Sequence, residues 1–173
     1  ENQALIATAG GILPLVGLVG DETVARGKAS AANALAHIGS KSVHQPLIAD
    51  SGAIPSIIKL ADSGVEADIE AVALAMNLLA ECRENQDLIV AAGGIKSIVN
   101  FLKVGTVEVK YNAETTIAKL ASKSAEYAAL IVADGGLPPL VELTRDSSTE
   151  LREAATLALQ WLATHEDIAD KII

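Results

Sequence analysis

The sequence contains few aromatic residues, a single cysteine and fewer basic than acidic side chains. Phe101, Tyr111, Tyr127 and Trp161 are its only aromatic residues, which argues against an aromatic-cored β-sandwich. Lys and Arg together number 13 against 22 Asp and Glu, giving a formal net charge of −9. Because binding to a phosphate backbone needs clustered positive charge, we do not expect nucleic acid as a partner.

The lone cysteine and the short apolar stretches exclude further classes of protein. Cys82 cannot form a disulfide within the chain, so an oxidising compartment gains no support and we expect an intracellular protein, cytoplasmic or nuclear. Near the end of a long predicted helix, Cys82 is expected to be a small buried hydrophobe and not a nucleophile. The longest apolar stretches, around Ala9–Val19 and Ala71–Ala80, are shorter than the ~20 residues that span a bilayer. We therefore expect no membrane span.

A glycine-containing motif recurs four times at intervals of 41 or 42 residues. The copies are Gly10-Gly11-Ile12, Gly52-Ala53-Ile54, Gly93-Gly94-Ile95 and Gly135-Gly136-Leu137. Each follows an apolar pair, such as Leu5-Ile6, and precedes apolar residues spaced i, i+3, i+4 and i+7, which share one face of an α-helix. A short polar break and an alanine-rich segment then complete each unit. The sequence thus predicts a repeat of three helices, in which a glycine turn joins a short helix to the second helix and a polar loop leads to a long third helix.

The positions of the prolines agree with these predicted helix boundaries. Pro14, Pro55, Pro138 and Pro139 fall in the first turn of a predicted second helix, and Pro46 opens the short helix of the second unit. A missing amide proton costs little in the first turn, because that proton has no partner within the helix.

The repeats resemble the armadillo family, whose pattern is roughly Asn-Gln-x-x-Ile, then Gly-Gly-Ile-x-x-Leu-Val-x-Leu-Leu, then Ala-x-x-Ala-Leu-x-Asn-Leu-Ala. The resemblance runs from Glu1 to Ile173 and lies in four in-register copies. It implies an all-α fold, a right-handed α-solenoid with three helices per repeat. The expected repeats are about 1–41, 42–82, 83–124 and 125–164, with 165–173 as the first helix of a truncated fifth repeat. The HEAT repeat is the nearest alternative, with two helices per unit and no glycine turn between a short and a long helix.

No polar capping repeat is visible at either end of the sequence. Repeat arrays normally finish with such a unit, which hides the last apolar face. We therefore expect a piece of a longer array, and possible end-to-end self-association of the isolated chain through its uncapped ends.

The residues that carry chemistry are scattered among the repeats. His37, His44, Cys82 and His165 do not cluster in the sequence, and in a stacked array each repeat touches only its neighbours. The sequence has no metal-ligand spacing, and the paired glycines join helices without the Gly-Lys-Ser/Thr of a phosphate loop. We expect no enzyme activity, no cofactor and no metal site.

The resemblance implies that the long third helices line a concave groove in which a partner segment lies. In the nuclear-import adaptors of this family, two positions four residues apart on each third helix are commonly Trp and Asn. The register of the glycines gives the candidate partner-binding residues Asn33, His37, Leu74, Asn77, Leu78, Tyr111, Thr115, Lys119, Leu157, Gln160 and Trp161. No equivalent pair combines Trp with Asn, and Lys119 would repel a lysine-rich peptide.

Three hypotheses about function remain open from the sequence. The leading one is a protein-interaction scaffold that binds an extended or helical segment of a protein or peptide partner along the groove. The alternatives are a nuclear-import-type adaptor for basic peptides and an architectural spacer within a longer array. Trp161 is either an aromatic anchor for a partner or a packing residue for a further repeat.

Overall fold

The computed structural model describes residues 2–21, 27–165 and 168, and regular structure within those residues is helical without a strand. Its internal contacts divide the chain into two compact units, Glu1–Gly93 and Gly94–Ile173. The prediction of a short helix over 165–173 lies outside the described residues, apart from His165 and Ile168.

The first unit contains seven helices in its described part. They are α1 (Asn2–Thr8), α2 (Ile12–Gly20), α3 (Lys28–Gly39), α4 (Gln45–Asp50), α5 (Ala53–Leu60), α6 (Glu66–Leu79) and α7 (Arg83–Ala91). Short 3₁₀ turns cover Ser42–His44 and Ala61–Ser63. The long third helices α3 and α6 pack against each other more extensively than any other pair in this unit, and α2 packs on both α3 and α5.

The second unit repeats this arrangement. Its helices are α8 (Gly94–Val104), α9 (Val107–Lys123), α10 (Ala125–Ala133), α11 (Leu137–Leu143) and α12 (Thr149–Ala163). The third helices α9 and α12 form the main contact of the unit, while α8 and α10 pack on α9 and α11 packs on α12.

The recurring glycine makes the turn between the first and second helix of every repeat. Gly10, Gly52, Gly93 and Gly135 have φ angles of 76°, 72°, 81° and 83°, in the left-handed region that glycine adopts without steric cost. At Gly136, the next residue, a Cβ atom would lie 2.9 Å from the Ile131 carbonyl oxygen. These angles and contacts explain the repeat motif, and the predicted three-helix unit is confirmed.

The helices begin where the prolines and small polar residues predicted. Pro14, Pro55, Pro138 and Pro139 all lie within the first three residues of α2, α5 and α11. In the second unit, Ser148 accepts a hydrogen bond from a backbone N–H at the start of α12, as Thr106 does for α9. Such caps satisfy amide protons that have no partner within the helix.

Small residues let the third helices approach closely. Gly39 is buried at the end of α3, and a Cβ atom there would lie 2.4 Å from Leu79 Cδ2 on α6. Along these two helices, buried alanines such as Ala32 and Ala75 are fully inaccessible to solvent. The abundance of alanine therefore reflects tight packing between third helices, which bulky aromatic side chains would prevent.

No single helix among the described residues is both long and apolar enough to cross a membrane. Together, α1 and α2 have sufficient length and apolar composition, but the two helices are bent by 85° relative to each other.

Candidate partner-binding faces

In the first unit, the candidate residues lie on the adjacent helices α3 and α6. Asn33 and His37 are four residues apart on α3, and Leu74 and Leu78 stand at the equivalent places on α6, with Asn77 beside them. His37 is exposed and the other four are half-buried. Because α3 packs on α6, these residues share neighbouring helices and retain accessible surface. We call them the α3–α6 face.

In the second unit, the candidate residues are more exposed and more apolar. Tyr111 on α9 is 41% exposed, and Leu157 and Trp161 on α12 are 43% and 39% exposed. Gln160 is also exposed, whereas Thr115 and Lys119 on α9 are half-buried. Since α9 and α12 are in extensive contact, these six residues form what we call the α9–α12 face. Large apolar side chains exposed together in this way are typical of interaction surfaces.

Two features of these faces were not predicted. The Thr115 hydroxyl donates a hydrogen bond to the Tyr111 carbonyl oxygen on its own helix, so this side chain already has an internal partner. The Asn33 side-chain oxygen is buried and has no hydrogen-bond partner among the described residues. The Thr115 hydroxyl proton is therefore already used within α9 and is less available to a ligand. The Asn33 side-chain oxygen can still accept a hydrogen bond.

The residues that precede these positions by one turn contribute little surface. Ala71, Asn112 and Ala154 are buried, whereas Ser30 is exposed. None of the four carries an acidic side chain. One residue earlier, in the register of Tyr111, Glu70 on α6 and Glu153 on α12 are exposed, so each face has a carboxylate beside it.

Two of the histidines have structural partners at the ends of third helices. His44 is buried, and its Nδ1 atom lies 3.1 Å from the Ile38 carbonyl oxygen at the end of α3. Asn85 makes the equivalent contact one repeat later, donating from Nδ2 to the Leu79 carbonyl oxygen at 3.2 Å. In the second unit, His165 Nε2 lies 3.0 Å from the Ala121 carbonyl oxygen. Such contacts satisfy carbonyl groups that a helix end leaves without a partner.

The described residues contain no group of three His, Cys, Asp or Glu side chains that could hold a metal ion. Cys82, which was expected to be buried, is half-buried and lies between α6 and α7. Its thiol donates to Glu84 Oε2 at 2.8 Å. The expectation of burial is wrong because the long helix α6 ends at Leu79, before the cysteine, so Cys82 lies at the junction between helices.

The burial of two acidic residues, Asp68 and Glu114, was not predicted from the sequence. Glu114 on α9 has no solvent exposure, and burial raises the pKa of its carboxyl group to about 8, helped by the negative charge of Asp146 and opposed by Lys110. The sequence did contain a signal for this position. Thr115, Leu74 and Asn33 occupy equivalent places on their third helices, so Glu114 occupies the place of Ala73 and Ala32.

Comparisons with known proteins agree with the fold and the repeat. Residues 124–164 match the family described as Armadillo/beta-catenin-like repeat. No curated protein matches the sequence.

The solved structures similar to this chain include designed armadillo repeat proteins. One, described as computationally designed for modular peptide recognition, has a TM-score of 0.92 and 27% identity, covering 99% of this chain and 73% of that chain. Another designed armadillo repeat protein, in complex with the peptide (KR)4, has a TM-score of 0.90, 27% identity and the same coverage. An engineered protein with 30% identity has a TM-score of 0.85 and covers 94% of this chain and 66% of that chain. With the repeat of three helices, the glycine turns and these matches, the chain has the fold of an armadillo repeat solenoid, and its fourth repeat matches the armadillo family model.

Proposed function

We propose that the chain is a non-catalytic scaffold that binds an extended or helical segment of a partner protein on the exposed faces of its third helices. The observation that carries this proposal is the α9–α12 face, where Tyr111, Leu157 and Trp161 each leave about two fifths of their surface exposed. Aromatic residues at such positions dominate the energetics of many protein interfaces.

Two further points support binding of a peptide segment. The armadillo fold is a non-enzymatic repeat architecture, and similar designed proteins were made for modular peptide recognition. A third helix that exposes residues four apart offers a row of contacts spaced about 6 Å along its axis, which is close to the distance between alternate side chains of an extended peptide.

The chemistry of the candidate residues favours an apolar ligand over a basic one. None of the candidate residues is Asp or Glu, and the α9–α12 face carries Lys119, so the exposed carboxylates of Glu70 and Glu153 lie beside the faces and not among their central residues. The designed relative that binds (KR)4 therefore differs from this chain in ligand preference under the proposal. A partner segment with apolar or aromatic side chains would cover Leu157 and Trp161 and remove their surface from water.

A selection from a random peptide library displayed on phage tests the proposal. We expect peptides rich in apolar and aromatic residues, and we expect their binding to weaken in Trp161→Ala and Leu157→Ala variants. Leu13→Ala is the matched control, because Leu13 is 68% exposed but lies on the second helix α2. Equal loss in all three variants would contradict a site on the third helices.

The same experiment separates the alternative functions. A nuclear-import-type adaptor requires saturable binding of Lys- and Arg-rich peptides, which a titration with (KR)4 measures directly. An architectural spacer predicts that no peptide is enriched over an unrelated control protein. Either result would overturn the preference for apolar segments.

We also propose that the apolar surface of α1 and α2 associates with a second copy of the chain. Ile6 is 44% exposed and Leu18 is 42% exposed, whereas their counterparts one repeat later, Ile48 and Leu60, are buried. Because these counterparts are buried by helices, we expect the partner of the α1–α2 surface to be a helical repeat as well. Sedimentation velocity over a range of concentrations should detect association that Leu18→Lys reduces. A monomer at every concentration would refute the proposal.

A further inference from the structure

The third helices α6 and α12 carry the same three-residue pattern on their candidate faces. Each presents an exposed glutamate followed, at intervals of four residues, by two large apolar side chains. These residues are Glu70, Leu74 and Leu78 on α6, and Glu153, Leu157 and Trp161 on α12. Because residues four apart lie on one side of a helix, each helix presents a carboxylate and an apolar pair together.

The third helices α3 and α9, which pack against them, carry a different pattern. Their equivalent residues are Ala29, Asn33 and His37 on α3, and Tyr111, Thr115 and Lys119 on α9. None of these six residues is acidic. In each unit, the carboxylate therefore belongs to the helix that also carries the apolar pair, and it stands at the N-terminal end of the face.

The glutamate and the apolar pair of one helix are close enough to contact a single partner segment. An α-helix rises about 1.5 Å per residue, so Glu153 lies about 6 Å from Leu157 and about 12 Å from Trp161 along α12. An extended segment advances about 3.3 Å per residue. A partner residue that contacts Glu153 is therefore within about four positions of one that contacts Trp161.

Charge complementarity determines which partner side chain suits the glutamate. An exposed carboxylate attracts Lys or Arg and repels Asp or Glu. The apolar pair favours an aliphatic or aromatic side chain, because covering Leu157 and Trp161 removes their surface from water. The two preferences together select a segment in which a basic residue stands near an apolar one.

The opposite end of the α9–α12 face restricts where the basic residue can stand. Lys119 on α9 is in the register of Trp161 on α12. A second basic residue, placed beyond the apolar one, would approach Lys119 and be repelled. A segment with basic residues throughout therefore matches Glu153 but not Lys119.

We propose that Glu70 and Glu153 are specificity-determining residues, which select an extended segment of a partner protein that carries Lys or Arg within about four residues of an apolar or aromatic residue. The apolar residue covers the two leucines of α6 in the first unit, or Leu157 and Trp161 in the second. This inference rests on the proposed function, since it concerns the same faces, and it adds the charge and the spacing of the partner's side chains.

A random peptide library displayed on phage tests the inference by parallel selections on three chains. The first is the wild type, and the second carries Glu70→Lys and Glu153→Lys. The third is a matched control with Asp50→Lys and Glu126→Lys, which changes the net charge equally at exposed acidic residues on the first helices α4 and α10. We expect the wild type and the control to enrich Lys or Arg near an apolar residue, and the second chain to enrich Asp or Glu there.

A peptide selected on the wild type then gives the size of the effect. Replacing its basic residue by Gln should weaken binding to the wild type roughly two- to fivefold, as the loss of an exposed ion pair does. The same replacement should strengthen binding to the chain with Glu70→Lys and Glu153→Lys, because it removes a repulsion. The effect on the wild type should shrink at high salt, which screens exposed charges. That measurement needs no variant of the protein.

Failure of this inference is distinct from failure of the proposed function. Apolar peptides enriched on the wild type without a preference for Lys or Arg would overturn the roles of Glu70 and Glu153 and leave the scaffold in place. A preference for basic residues that persists in the chain with Glu70→Lys and Glu153→Lys would have the same meaning. Enrichment of no peptide on the wild type would overturn both proposals.

Discussion

The stability of the folded chain should fall as the pH rises from about 4.5 to about 8, and Glu114 should be the main cause. Burial raises the pKa of this carboxyl group from 4.5 to about 8 in the folded state. Below pH 4.5 the group is protonated in both folded and unfolded chains, so it has no effect. Between the two values the unfolded chain releases the proton and the folded chain retains it, so stability decreases with pH. Above pH 8 both forms are ionised and the penalty is constant.

The size of this loss follows from the same two pKa values. Each pH unit corresponds to about 1.4 kcal/mol, so the full interval amounts to about 5 kcal/mol in the free energy of unfolding. At pH 7 roughly 3 kcal/mol is already lost. Whole domains have free energies of unfolding of about 5–15 kcal/mol. The ionisation of this one side chain therefore accounts for a large part of the stability lost at alkaline pH. Where water reaches the carboxylate in the folded chain the loss is smaller, so the value of about 5 kcal/mol is a ceiling.

Urea unfolding of the wild type and Glu114→Gln, followed by circular dichroism at pH 5, 6, 7, 8 and 9, measures this effect. The buried amide of Glu114→Gln changes the free energy of unfolding by an amount that does not depend on pH. The comparison therefore uses the change of this free energy with pH and not its absolute value. The free energy of unfolding of Glu114→Gln minus that of the wild type should rise by several kcal/mol between pH 5 and pH 8 and then level off. Glu126→Gln should follow the wild type. Parallel curves for the wild type and Glu114→Gln would refute the reasoning.

Three further predictions use calorimetry and the same unfolding assay. Trp161→Ala should weaken a selected peptide roughly 60-fold, because about 100 Å² of the side chain remains to be covered at ~25 cal/mol per Å²; equal affinity in isothermal titration calorimetry would contradict it. Ser148→Ala removes the cap of α12 and should cost about 1 kcal/mol in urea unfolding; an unchanged midpoint would exclude a role for the cap. Gly17→Ala, with open space around the new Cβ, should stabilise by about 1 kcal/mol. Gly105→Ala, whose Cβ would lie 2.7 Å from the Phe101 carbonyl oxygen, should destabilise by about 1–3 kcal/mol, and the same sign for both glycines would argue against the packing described.

The repeat and its helices were predictable because the signals are local and recur. The turns between first and second helices could be predicted because a left-handed turn favours glycine, which stands at Gly10, Gly52, Gly93 and Gly135. The helical spacing of apolar residues, together with the prolines, marked the second helices before their bounds were known. The glycines and the apolar spacing recur in all four repeats in register, and prolines mark three of the four second helices, so the repeat does not depend on any single copy.

The candidate faces were only partly predictable, because exposure depends on neighbouring helices. Register identified Trp161 and Leu157 as candidate partner-binding positions on α12, but it left open whether Trp161 is exposed or packs on a further repeat. It also missed the internal hydrogen bond of Thr115 and the helix-end contacts of His44 and His165. The Thr115 bond lies within α9, whereas the His165 contact joins atoms 44 residues apart, which only the packing of helices brings together.

Glu114 shows a different limit of sequence reasoning. A glutamate in an alanine-rich helix is most simply interpreted as a solvated residue, since ionised carboxyl groups avoid burial. Its register with Ala32 and Ala73 was available from the sequence, but the consequence depended on the packing of α9 against its neighbours. The side chain remains buried because protonation removes the charge, at a pKa that the surrounding groups determine.

The central claim is that partner segments bind to the third helices, and mapping a selected peptide onto the chain by NMR tests it most directly. Backbone amide shifts would be assigned in the free chain and followed as the peptide is added. The account predicts that the largest changes fall on α3 and α6, on α9 and α12, or on both pairs, with Trp161 among them if the α9–α12 face is used. Changes confined to the second helices α2, α5, α8 and α11, with the third helices unaffected, would contradict it.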